Sequence, residues 1–137
     1  MSAVLIFVSI AAAEWSCTRS SQRIINQAVE ALDGGAPAEA EGIYQTVLMK
    51  EPSCGLAGHG LSVALLRQDR PQEAMALLTV LAEDYPEQPE ALTGLSVAAF
   101  AAQDFATART AALQAIGLDS ASLEANAALL AVLLRQG

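Results

Sequence analysis

The chain has 137 residues, enough for one domain with a substantial core and too few for two. It is 53% hydrophobic, 4% aromatic and 16% charged, with a formal net charge of −8. Its few Lys and Arg residues are scattered from Arg19 to Arg135, which excludes the basic patch that nucleic-acid binding rests on.

Ala3 to Ala13 is apolar apart from Ser9. The stretch is shorter than the roughly 20 residues a membrane span needs. It suits the apolar region of a secretory signal, with Ala11–Ala13 as a small-residue cleavage site, although no Lys or Arg precedes Arg19. Residues 1–20 are therefore read as an apolar N-terminal segment, either an export signal or an extra helix on the body that follows. The first reading makes the protein periplasmic or membrane-associated; the second makes it cytoplasmic. Cys17 follows Glu14, Trp15 and Ser16, which departs from a lipoprotein attachment motif. Cys17 and Cys54 form no CxxC and have no histidine at ligand spacing. Their pairing does not follow from sequence, and the expectation is two ordinary thiols.

From Ser21 onward the chain repeats every 34 residues. "GLSVA" occurs at Gly60–Ala64 and again at Gly94–Ala98, and "LLRQ" at Leu65–Gln68 returns two steps later at Leu133–Gln136. Blocks of residues 21–54, 55–88 and 89–122, with a terminal piece at 123–137, keep one register. Ala40, Ala74 and Ala108 share a column; so do Ala28, Ser62 and Ser96, and Leu61, Leu95 and Leu129.

Each block reads as two helices. The first helices are expected over Gln22–Asp33, Leu56–Gln68 and Glu90–Ala102. The second are expected over Pro37–Lys50, Pro71–Asp84 and Phe105–Leu118. Pro37 and Pro71 suit the first helical position, where the missing N–H costs nothing. Pro52 and Pro86 stop the second helices. Such a unit cannot bury its own apolar face, so copies must stack.

The columns resemble the tetratricopeptide repeat family. Ala28, Ala40, Tyr44 and Pro52 fit its pattern in the first block; Leu61, Leu65, Ala74, Leu78 and Pro86 in the second; Leu92, Leu95 and Ala108 in the third. Gln27, Gly58 and Ser120 depart from it. The resemblance covers Ser21 to Gly137. It implies an all-α, right-handed α-solenoid of stacked antiparallel helix pairs, about three and a half repeats long.

The resemblance also implies a peptide-holding groove on the inner face of the first helices. Carried onto this sequence, that face comprises Gln22, Ile25, Val29 and Leu32, then Leu56, His59, Val63 and Leu66, then Glu90, Thr93, Val97 and Phe100; all but Gln22 and Glu90 are taken as the lining that binds the partner. The Lys and Asn with which chaperone-binding members of the family hold a carboxylate terminus are absent from these positions. A mostly apolar groove suits a helix or extended apolar segment of a protein partner. The function expected is a non-enzymatic adaptor or scaffold, of the kind that assists assembly of a bacterial pilus, secretion or envelope complex. The alternative is a cytoplasmic chaperone shielding a hydrophobic client of a secretion system. No acid/base or ligand constellation surrounds His59, so no catalytic, cofactor or metal residues are expected. The apolar terminal helix at 123–137 is expected to be sticky through self-association, and residues 1–20 would bring the chain near a membrane.

Overall fold

A computed structural model describes residues 15–136. They form seven helices and, among the described residues, no strand: α1 (Arg19–Asp33), α2 (Pro37–Lys50), α3 (Gly55–Arg67), α4 (Pro71–Asp84), α5 (Pro89–Ala101), α6 (Phe105–Leu118) and α7 (Leu123–Gln136). α2 and α4 start and stop where their prolines place them, α6 keeps the same register without one, and α7 begins at Leu123 as expected. α1, α3 and α5 begin one to three residues earlier than expected; Thr18 caps α1 through the Ser21 amide and Pro89 opens α5.

The 34-residue period is also a backbone period. Gly35, Asp69 and Gln103 occupy one column and all adopt positive φ, at 80°, 59° and 65°. Each is the left-handed residue that ends the first helix of a pair. The same pair of bonds closes all three turns: Ala36 N–H to Ala31 C=O, Arg70 to Leu65 and Asp104 to Ala99, alongside Gly35 to Leu32, Asp69 to Leu66 and Gln103 to Phe100. Where the third block lacks the helix-opening proline, Asp104 caps α6 by accepting from the Thr107 amide at 3.2 Å. That bond and one from the Thr107 hydroxyl hold the Asp104 carboxyl below its ordinary pKa.

Small residues form the seams. Ala40, Ala74 and Ala108 are fully buried, as are Ala57, Ala64, Ala91 and Ala98. The buried Ser96 hydroxyl donates to the Ala108 carbonyl at 2.7 Å, tying the two helices of the third pair together. Neighbouring repeats are also joined at the surface: Arg70 pairs with Glu41 at 2.9 Å, and Arg67 donates to the Leu32 carbonyl at 3.1 Å. No described helix is long and apolar enough to cross a membrane.

One sequence expectation is overturned. Cys17 and Cys54 are joined in a disulfide, with Cα atoms 5.1 Å apart. The turn after α2 returns the chain so that Cys54, the residue capping α3, lies beside the segment leading into α1. Glu51 reinforces this junction by accepting from the Thr18 amide, the Thr18 hydroxyl and the Ser21 hydroxyl.

Candidate functional site

The first helices of the repeats stand side by side, α1 against α3, α3 against α5 and α5 against α7. A concavity of about 630 Å³ lies between α3, α5 and the start of α7, within the size range of ligand sites. Its apolar lining comes from Val63 and Leu66 of α3, Val97 of α5 and Leu123 of α7, with the bare backbone of Gly94 between them. His59 and Thr93 add polar atoms. Glu90, Asp119 and Glu124 stand at its margin, all three exposed.

Five of the residues expected on the groove therefore meet in one cavity: His59, Val63, Leu66, Thr93 and Val97. The others do not. Ile25 and Leu32 are buried at 5% and 7% exposure, in a core cluster with Ala57 and Ala64. That cluster also holds Ala40, Tyr44 and Val47 of α2, so these α1 side chains are taken up by the core of the first repeat and its junction with the second. Val29 of α1 remains exposed, away from the cavity lining. Leu56 is half-buried between two core clusters. Phe100 packs edge-to-face on Phe105, with ring centroids 5.5 Å apart.

Burial lowers the pKa of His59, opposed by the nearby charge of Glu90. The neighbouring Ser62 hydroxyl is spent on the His59 carbonyl and is not aimed at the imidazole. Trp15 stands beside His59, ring centroids 6.4 Å apart, and packs edge-on against Tyr85 at 5.2 Å. Cys17, Glu51 and Cys54 bring metal-ligand atom types within 4.8 Å of one another. Both sulfurs are consumed by the disulfide, however, and the Glu51 carboxylate already accepts from Thr18 and Ser21.

The contribution of α7 to the cavity was absent from the sequence reading. It was accessible there, since Glu124 stands one period after Glu90 and Leu123 one period after Pro89. Trp15 lies outside the repeat register, and no sequence signal ties it to His59 or Tyr85.

The sequence matches the tetratricopeptide repeat family over residues 31–98 and again over residues 76–122. No curated protein matches it. Among solved structures it is similar to the Sgt2 TPR domain from Aspergillus fumigatus, with a TM-score of 0.83 and 16% identity, covering 89% of this chain and 82% of that one. It is also similar to the first TPR of Spaghetti (RPAP3) bound to the HSP90 peptide SRMEEVD, with a TM-score of 0.80 and 15% identity over 89% and 97% of the two chains. A third similar structure is the Yersinia enterocolitica type III secretion chaperone SycD in complex with a peptide of the translocator YopD. Its TM-score is 0.75 at 13% identity, over 88% and 98% of the two chains.

Proposed function

The chain belongs to the tetratricopeptide repeat family, and on that premise we propose that it is a non-enzymatic adaptor that seats a helical or extended apolar segment of a partner protein between α3, α5 and α7. The observation that carries this reading is the cavity itself, where Val63, Leu66, Val97 and Leu123 present apolar surface from three successive repeats. Burial favours the neutral form of His59, and the neighbouring Ser62 hydroxyl is committed to the His59 carbonyl instead of its ring, which favours a lining role over catalysis. A photo-crosslinking amino acid at Val97 should capture a discrete partner in the native host. The same group at Met49, which is 84% exposed and outside the cavity lining, should not. Equal labelling from both positions would reject the site.

We place this adaptor in an oxidising compartment, assisting assembly of a pilus, secretion or envelope complex. The support is the Cys17–Cys54 disulfide, since such bonds persist mainly outside the reducing cytosol, together with the apolar stretch from Ala3 to Ala13, which lies outside the described residues. A second reading, a cytoplasmic chaperone for a hydrophobic client, is favoured by the likeness to SycD with its YopD peptide. The mass of the mature N-terminus after fractionation separates them. A cleaved or lipid-bearing chain in the envelope supports the first, and an intact Met1 or Ser2 in the cytosol supports the second. We also propose self-association through the exposed face of α7, and membrane proximity of the chain through residues 1–20.

A further inference from the structure

We propose that the segment held in this cavity is cationic as well as apolar: an amphipathic stretch whose Leu- or Val-type side chains fill the floor while Lys or Arg side chains lie on the rim. This inference rests on the groove reading and adds the charge of the occupant. The floor is Val63, Leu66 and Val97; the rim is Glu90, Asp119 and Glu124, and neither Lys nor Arg lines the cavity.

The rim carboxylates come from two repeats and the turn between them: Glu90 and Glu124 stand in the first turns of α5 and α7, and Asp119 in the turn that leads into α7. Among the described residues, Glu90, Asp119 and Glu124 form no ion pair, and the bonds that Asp119 and Glu124 accept come from the uncharged Ala121 amide and Ser122 hydroxyl. His59 does not supply the missing cation, because its burial favours the neutral imidazole. The net charge of −8 adds a long-range field of the same sign. An acidic or carboxylate-terminated peptide would meet repulsion from Glu90, Asp119 and Glu124, with no Lys or Arg in the lining to offset it. A cationic one gains encounter rate and register from the rim while the floor supplies the burial.

The test uses the purified chain and synthetic amphipathic peptides with one shared Leu face. The opposite face carries Lys, Gln or Glu, and affinity is read by fluorescence anisotropy. The Lys peptide should bind about 10-fold or more tighter than the Glu peptide at low salt. The gap should shrink to about 2-fold at about 0.5 M salt, where exposed charges are screened. Glu90→Gln combined with Glu124→Gln alters only exposed side chains and should erase most of the preference, leaving the Gln peptide unaffected. Val97→Asp should weaken the Lys and Gln peptides alike. If all three peptides bind equally and Val97→Asp weakens them all, the charge inference falls while the groove reading stands. If none binds, or binding ignores Val97→Asp, both fall. A dimer dispersed by Val97→Asp would identify a second copy as the occupant and overturn the inference.

Discussion

Trp15 packs so tightly against Gly55 that a Cβ at residue 55 would clash with Cε3, Cδ2 and Cζ3 of the indole. Gly55 opens α3 and is buried, while Trp15 is 9% exposed despite preceding the first helix of the array. The glycine leaves room for the indole. The indole then reaches both Tyr85 of the second repeat and His59 at the margin of the cavity. The segment ahead of the array is thus packed into it at the second repeat.

Gly55→Ala should displace Trp15 and lower stability by about 1–3 kcal/mol, the usual range for overpacking. Gly42→Ala is the control: a Cβ there meets nothing within 4 Å on the exposed middle of α2. It should gain about 0.5–1 kcal/mol from helix propensity. Urea unfolding of the two variants, followed by tryptophan emission and circular dichroism, checks both signs. A red-shifted emission in the folded state should accompany Gly55→Ala only.

The disulfide closes a sequence separation of 37 residues. Removing it as Cys17→Ser with Cys54→Ser should cost about 2–4 kcal/mol, chiefly by freeing the unfolded chain. Loosening should concentrate where Trp15 packs, because Cys17 holds the segment that carries it. Hydrogen exchange should show faster opening around the start of α3, with α5 to α7 unchanged. Uniform acceleration across all helices would contradict this local role.

The repeat predicts its own strain. In the column with positive φ, Gly35 is at ease, Asp69 is of a tolerated type, and Gln103 carries a side chain into the left-handed region. Gln103→Gly should therefore stabilise by about 0.5–1 kcal/mol, and Gly35→Ala should destabilise by about 1 kcal/mol. Thermal unfolding of both variants reads the difference directly. A loss of stability in Gln103→Gly would show that the side chain contributes more than its backbone costs.

α2 and α4 were legible because proline acts locally, setting their starts at Pro37 and Pro71 and their ends before Pro52 and Pro86. The seams were legible because alanine columns report close approach wherever they occur. What escaped depends on contacts distant in sequence. Nothing in the spacing of Cys17 and Cys54 says that the turn after α2 returns beside the entry to α1. Ile25 and Leu32 occupy groove positions in the register, yet they are buried in a cluster shared with Tyr44 and Val47 of α2 and Ala57 and Ala64 of α3. Register position fixes the column a residue belongs to, while burial is set by side chains from helices distant in sequence.

His59 gives a pH dependence of defined sign. Burial favours its neutral form, so its folded pKa lies below the unfolded value of about 6.5. The unfolded chain therefore takes up the proton first as pH falls. The contribution of His59 is intact above about pH 6.5 and is lost as pH drops through that value toward the lower folded pKa. The difference in unfolding free energy between wild type and His59→Gln should shift against the wild type from pH 7.5 to pH 5. Because the chain has a single histidine, its imidazole proton resonance reports the folded pKa without assignment. A midpoint at or above the ordinary histidine value would refute the buried, neutral placement.

An exposed strip of α7 carries Leu123, Ala127, Leu130 and Leu134, spaced four, three and four residues apart, with Leu123 at its start also lining the cavity. Positions so spaced form one narrow strip along a helix, the spacing of a two-helix seam. Val132, by contrast, points inward to Ala99 and Ala108. The strip should drive weak, concentration-dependent self-association, because one short helix pair buries less surface than stable dimers usually need. Two copies aligned antiparallel would place the acidic first turn, with Glu124, beside the basic last turn, with Arg135. Sedimentation velocity from micromolar to the highest soluble concentration should show a rising average mass. Leu130→Lys should abolish that rise while leaving the helical signal intact, since Leu130 is 56% exposed. A chain that stays monomeric throughout and binds no apolar dye would leave the strip without this role.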